Sequence, residues 1–241
     1  MFLRACWLLA GVIGLSTAAS AAPNSNPTAD ELIAKNIAAR GGIDKLHAIT
    51  ALHTVGKLRL GGGLEAKTES FGLAPDKIRF EFTLQGLTAV NAWDGTDGWA
   101  IQPFQGRKDP QKTTADDNKQ LIEGADILGP LVDYKAKGNK VEYLGTEDID
   151  GTDAHKLRVT RKNGDSVVIY LDPDQFLEIR EVSHDMIRGQ EQVQTTDMGE
   201  YEQVNGVYFA FEQGQNHIEK ADANGRIDTA VFAFPAAAAK H

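Results

Sequence analysis

Cysteine is all but absent: the 241 residues hold one, Cys6. Arg4 stands two residues before it and an apolar run follows it, an order unlike that of a signal whose terminal cysteine becomes lipidated. Cys6 is therefore expected to leave with the N-terminal segment, and the mature chain to have no thiol, disulfide or thiolate metal site. Positive charge is in deficit too. Lys and Arg number 25 against 34 Asp and Glu, a formal net charge of −9, and no Lys/Arg block occurs. That balance argues against nucleic acid and anionic membrane surfaces as partners. Beyond the N-terminus there is no second long apolar run, so no transmembrane segment is expected in the mature chain. Catalytic constellations are missing as well. G-x-S-x-G, H-E-x-x-H and Cys/His clusters do not occur, and the six histidines are scattered. No enzyme, cofactor or metal site is expected.

What is present begins with an export signal. Arg4 supplies the positive n-region, Cys6–Leu15 are apolar or small, and Ala19-Ser20-Ala21 offers a cleavage site before Ala22. The expectation is a Sec-exported, soluble periplasmic protein cleaved near Ala21/Ala22, with residues 1–21 as signal peptide and 22–27 as a flexible lead-in. A single domain over 28–234 would follow, then a loose tail, 235–241. About 220 residues suffice for one core of the larger β type.

Thr28-Ala29-Asp30-Glu31 is a capping box, and the helix it opens carries Ala29, Ile33 and Ile37 on one stripe up to Gly41-Gly42. A shorter helical piece places Ile43, Leu46 and Ile49 at three-residue spacing. From Thr54 the period becomes two. Strands are predicted at 54–60, 65–73, 77–84, 87–93 and 99–102. The second has an unusually small face (Ala66, Thr68, Ser70, Gly72) and the third alternates Ile78, Phe80, Phe82 and Leu84 with polar residues. Pro103–Ala115 reads as a polar loop able to act as a flap. Thr114–Asp117 caps a second helix with Leu121, Ala125 and Leu128 on its stripe, ended by Gly129-Pro130. Further strands are predicted at 141–146, 154–161, 166–171, 177–184, 192–202, 207–215 and 227–234, separated by turns such as Asp150-Gly151 and Asn205-Gly206. Tight hairpins imply one antiparallel sheet of about eleven or twelve strands, which should curl around the helices rather than stay flat.

Weak motifs are better explained as structure. Gly61-Gly62-Gly63 lacks the Lys-Ser/Thr of a phosphate loop, and Glu147–Asp153 lacks calcium-loop spacing. His184-Asp185 reads as an exposed polar couple, and Trp93 and Trp99 as core before a sugar-stacking pair. The positive signal is surplus apolar surface. Val167–Leu171 and Val207–Phe211 are apolar on both faces, so they are covered on both sides or the sheet encloses a cavity.

The ordered features resemble the LolA/LolB superfamily of periplasmic lipoprotein carriers. The likeness runs over most of 28–234 and is carried best by Ala74-Pro75-Asp76-Lys77-Ile78-Arg79-Phe80, then Asn91-Ala92-Trp93-Asp94-Gly95 and Gly98-Trp99. Asp150-Gly151, His155-Lys156-Leu157, Asn163-Gly164-Asp165 and Tyr170-Leu171-Asp172-Pro173 continue it, and Ala39-Arg40-Gly41-Gly42 opens it. The resemblance implies an α+β fold: an unclosed barrel, one strongly curved antiparallel sheet around a helical plug, with an apolar cavity that binds acyl chains and no catalysis. In the family's LolA branch an arginine before the turn proline latches the lid; Ala74 stands there in this chain.

The expected role is a monomeric carrier of lipoprotein acyl chains or lipid towards the outer membrane, meeting donor and acceptor proteins at the two membranes. Lining is expected from Leu58, Phe80, Phe82, Trp93, Trp99, Leu128, Phe209 and Phe211, with Leu121, Ala125 and Leu131 in a plug over 121–134 hinged by 103–115. The alternatives are a periplasmic lipid-sensing or protein-interaction module of the same fold and, behind it, a hydrolase or glycan-binding protein.

Overall fold

The computed structural model describes residues 26–235; the expected export signal and cleavage site, with Cys6, lie outside them, as do residues 236–241. Helix α1 (Ala29–Ala39) starts at the Thr28 capping box, in which the Thr28 hydroxyl accepts from the Glu31 N–H and the Glu31 carboxylate accepts from the Thr28 N–H. Helix α2 (Ile43–His47) follows. Six strands then run as a meander: β1 (Ala51–Arg59), β2 (Glu65–Leu73), β3 (Lys77–Leu84), β4 (Leu87–Trp93), β5 (Gly98–Gln102) and β6 (Arg107–Lys112). Helix α3 (Ala115–Gly124), opened by a second capping box at Thr114, leads through turns to the other seven. These are β7 (Lys140–Ile149), β8 (Thr152–Thr160), β9 (Ser166–Leu171), β10 (Glu178–Ile187), β11 (Gln190–Val204), β12 (Val207–Gln213) and β13 (Asn216–Ala223).

All thirteen strands form one antiparallel sheet in the order β6-β5-β4-β3-β2-β1-β13-β12-β11-β10-β9-β8-β7. The sheet does not close. Each half is a local meander, and the halves meet where β1 pairs with β13. The two free edges, β6 and β7, are the two strands that α3 and its following turns connect, so that segment spans the opening. Sharp hairpins depend on residues that accept positive φ: Asp150-Gly151 between β7 and β8 sits at φ 53 and 92. This also accounts for the acidic stretch 147–153 as a turn.

Three sequence expectations are corrected. Within the expected loop 103–115, Pro103–Gln105 is a 3-10 turn and Arg107–Lys112 is the edge strand β6. Its charges and Pro110 hide the strand pattern, and such residues protect an edge from pairing with other chains. Strand β13 was not expected, because Ile218 is its one large aliphatic side chain. Conversely, 227–234 is no strand. It makes a 3-10 turn at Thr229–Val231 and straps the outer face of β3–β5, where the Trp99 indole N–H donates to the Phe232 carbonyl at 2.8 Å.

Both faces of the β8–β9 region are covered. Leu157, Val159, Val167, Ile169 and Leu171 pack inward against Leu32, Ile33 and Leu131. Ala154, Val168 and Tyr170 pack with Ile149 on the outer face. A second inner cluster gathers Leu46, Ile49, Val132, Val207, Phe211 and Ile218. Leu131 and Val132, adjacent in the connecting segment, thus belong to different inner clusters and link the β8–β9 core to the β11–β13 core.

Candidate functional site

The small face of β2 marks the site. A Cβ on Gly72 would stand 2.5 Å from the Ile127 Cγ2, so the turn after α3 lies directly on this strand. Beside it Thr68 and Ser70 leave room. The room is a cavity of about 580 Å³, between the inner faces of β1–β3 and β9–β13 and beneath α3 and residues 124–130. That volume lies within the roughly 300–1,000 Å³ usual for small-molecule sites.

One wall is apolar and the other is not. Ile78 and Phe80 of β3 line the first, joined by Ile127, Phe209 and Ile218. Strand β10 turns Glu181, Ser183 and Asp185 inward, and β11 adds Gln194 and Thr196. The polar groups are tied to one another. Arg40, buried at the end of α1, donates through Nη1 to the Leu128 carbonyl at 2.8 Å and lies 3.8 Å from Glu178. The Tyr201 hydroxyl is 2.9 Å from the Glu178 carboxylate. Arg161 Nη1 lies 3.0 Å from Glu123 Oε1 and 3.8 Å from Asp185 Oδ1. Neither approach is aligned as a hydrogen bond, so Arg161 Nη1, Glu123 Oε1 and Asp185 Oδ1 are buried with no hydrogen-bond partner; Arg40 Nε is buried without one as well. Lys119–Asp165 at 3.0 Å and Arg188–Asp117 at 2.9 Å add two further ties between α3 and the β9–β10 rim.

Burial, reinforced by the neighbouring Asp185 and Asp165 carboxylates, pushes the Glu123 carboxyl up to about 7 despite Arg161. Burial and the Glu178 charge push Glu181 up to about 7 as well, against the pull of Arg161 and Arg40. Burial also raises Tyr201, with Glu178 adding to it, so its phenol stays protonated. Glu123, Asp165 and Asp185 bring carboxylate oxygens within 4.8 Å of one another. Lys119 pairs with Asp165 and Arg161 with Glu123, which leaves Asp185 without a cation of its own.

Of the residues singled out in the sequence, Phe80 and Phe209 line the cavity. Leu58, Phe82 and Trp93 share the inner face with it but lie beyond its lining, Phe82 resting edge-on against Phe104 at 5.4 Å. Trp99 is corrected. Trp93 pairs with Gly98, so period two sends the next residue, Trp99, to the outer face, where it is buried with Val90 and Ala92. That also separates the two indoles as a stacking pair. Phe211 and Leu128 pack in the second inner cluster, Leu121 is half-buried on α3, and Ala125 and Leu131 are buried. His184-Asp185 is corrected too: His184 pairs with Glu191 outside, and Asp185, 2% exposed, points inward. Glu181 was legible only within the strand predicted at 177–184 and Asp185 only as half of an exposed couple at its end, on the same side of that strand. Nothing local said that this side is the inner one.

No protein-family model matches the chain, and no curated protein matches its sequence. Solved structures do match its shape. A LolA superfamily protein from Nitrosomonas europaea superposes with a TM-score of 0.52 at 12% identity, over 86% of this chain and 98% of that one. The chain has the LolA-like fold. A structure described as an outer membrane lipoprotein-sorting protein domain, from Vibrio parahaemolyticus, gives 0.52 at 14% identity over 84% and 94%. A DUF1329 family protein from Desulfovibrio piger gives 0.55 at 13% over 85% and 96%. In this LolA-like sheet the opening is spanned by the α3 segment and the cavity lies beneath it. Among the described residues no helix is long and apolar enough to cross a membrane.

Proposed function

We propose that the protein is a soluble periplasmic carrier that shelters acyl chains of a lipoprotein or lipid in this cavity on the way to the outer membrane. The observation that carries the reading is a cavity of about 580 Å³ left open inside an unclosed sheet and roofed by one connecting segment. Periplasmic placement rests on the export signal in the sequence. Such a role needs no catalytic group: each CH₂ moved from water against Ile78, Phe80 and Phe209 contributes roughly 0.8 kcal/mol. Release asks for a roof that can lift, and the residues from α3 to Tyr134 are that roof, with donor and acceptor proteins at the two membranes as its partners.

Native mass spectrometry of protein purified from its own envelope is expected to show a co-purifying acylated molecule. An uncharged fluorescent acyl probe is expected to bind saturably, one per chain, and to be displaced by that molecule. Empty protein with no saturable uptake would remove the reading.

A further inference from the structure

The charges around the cavity do not balance. Five lining carboxylates, Glu123, Asp126, Glu178, Glu181 and Asp185, face two lining guanidinium groups, Arg40 and Arg161. Arg40 is matched by Glu178, Arg161 by Glu123, and Asp126 by Lys137 at 2.6 Å from outside the lining. Glu181 forms no ion pair among the described residues, and the cations that act on it, Arg161 and Arg40, are more distant and opposed by Glu178. Asp185 is 2% exposed, its Oδ1 has no hydrogen-bond partner, and its nearest cation is the guanidinium already held by Glu123. The two unanswered carboxylates occupy inward positions of one strand with Ser183 between them, across the cavity from Ile78 and Phe80.

We infer that the cavity is selective for amphiphiles with an ammonium head, which Glu181 and Asp185 receive while the tail lies on the Ile78–Phe80 wall. This deepens the carrier reading and rests on it. The ammonium is that of an amine lipid or the free α-amino end of an acylated peptide; both offer one positive charge with three donors next to apolar chain. A carboxylate or phosphate head meets the opposite situation. It would be desolvated beside acids that have no cation of their own, which costs binding. Selection therefore works by rejection of anions as much as by attraction of cations.

The groups that set the field are specified on every side. Glu178, Arg161 and Arg40 act on Glu181, and Arg161, Asp185 and Asp165 act on Glu123. Because both acids gain protons near neutrality, the preference strengthens from pH 6 to pH 8 as the wall becomes more negative.

The test is displacement of the uncharged acyl probe from the mature protein by dodecylammonium, dodecanol and dodecanoate at pH 6 and pH 8. Dodecylammonium is expected to bind at least tenfold tighter than dodecanoate at pH 8, with a smaller margin at pH 6. Glu181→Gln, which keeps shape and removes charge, is expected to cut the margin at least threefold, and Glu191→Gln on the outer face to leave it unchanged. Dodecanol bound without any preference between the charged pair would overturn the inference and leave the carrier reading standing. A margin untouched by Glu181→Gln would also overturn it. If dodecanol too fails to bind, the carrier reading falls and this inference with it. A diacylated lipopeptide with free and acetylated amino ends separates the sources. Preference for the free end assigns the ammonium to a peptide, and preference confined to dodecylammonium assigns it to an amine lipid.

Discussion

Glu181 shows what one enclosed carboxylate does to the whole protein. Its carboxyl is held up at about 7 where the ordinary value is 4.5, so between those two values the folded chain binds a proton that the unfolded chain has lost. Stability contributed by that proton is complete below about pH 4.5 and is lost as pH rises through 7. Glu123 acts in the same direction and over the same window. Asp94 and Asp117 act in a different window, because backbone hydrogen bonds from Asp97 and Thr96 hold the first below its ordinary value and the Thr114 hydroxyl the second. Those two protect at neutral pH and fail in acid. Thermal denaturation from pH 3 to pH 9 is thus expected to show a maximum near pH 5 and a decline towards 8. Glu181→Gln should flatten the decline, gaining on the order of 1 kcal/mol at pH 8 once cavity water is allowed for, with no gain at pH 4. A gain of equal size at both would mean that Glu181 is not held protonated. The sequence predicted a strand over 177–184 with His184-Asp185 as an exposed polar couple at its end. It did not show that the outer cluster of Val168, Tyr170 and Ile179 takes Val182 outward and leaves the acids inside.

Among the elements, local chemistry was read most securely where it is self-contained: both capping boxes, the β3 alternation and the tight turns all rest on residues within one turn or strand. Strand β6 escaped because its charges and Pro110 hide the strand pattern, and β13 because it carries a single large aliphatic side chain and takes its place from β1, far back along the chain. The small face of β2 was visible, but its reason was not. Gly72 is small because Ile127 sits on it. Gly72→Val is accordingly expected to destabilise by about 2–4 kcal/mol through overpacking. Ile127→Ala in the same chain should recover a good part of that, measured as a double-mutant cycle in urea. Additive losses would mean that the two do not meet. The strap over β3–β5 gives a second check. Phe232 is fully buried and its carbonyl accepts from Trp99, while the Arg79 guanidinium donates to the Val231 carbonyl at 3.0 Å. Phe232→Ala should cost about 3–5 kcal/mol although it lies on the opposite face of the sheet from the cavity. Acyl-probe affinity of the folded fraction should be unchanged.

For the molecule as a whole, connectivity decides what is able to move. The halves are joined by the long β1–β13 pairing, which runs from Leu52 to Leu58, so the seam cannot open without losing a central ladder. The other link, α3 and the turns to Tyr134, has no strand ladder and is held from two sides. Along the β9–β10 rim it is tied by Lys119–Asp165, Glu123–Arg161 and Arg188–Asp117, and its later part is anchored by Leu131 and Val132 in separate clusters. Of the rim ties, Arg188–Asp117 is well exposed and Glu123–Arg161 leaves buried atoms without hydrogen-bond partners, so Lys119–Asp165 is the firmest of the three, whereas the two anchors are buried completely or nearly so. A roof built this way should lift at α3 while staying fastened at 131–132. Hydrogen exchange is expected to show amides of 116–127 opening at several kcal/mol below the global unfolding energy, with 131–134, β1 and β13 exchanging only on global unfolding. Filling the cavity with an acyl probe should slow exchange of 116–127 selectively. Leu128, between the hinge and the lifting part, distinguishes roof from scaffold. Leu128→Glu would place an unpartnered carboxylate at a half-buried position beside the second inner cluster and cost stability, as Ile33→Glu on α1 would. If α3 and its turns form the roof, Leu128→Glu also weakens the probe in molecules that still fold, more than Ile33→Glu does at equal loss of stability. Equal affinity losses, together with exchange of 116–127 only on global unfolding, would make the segment ordinary scaffold and leave the cavity without a door.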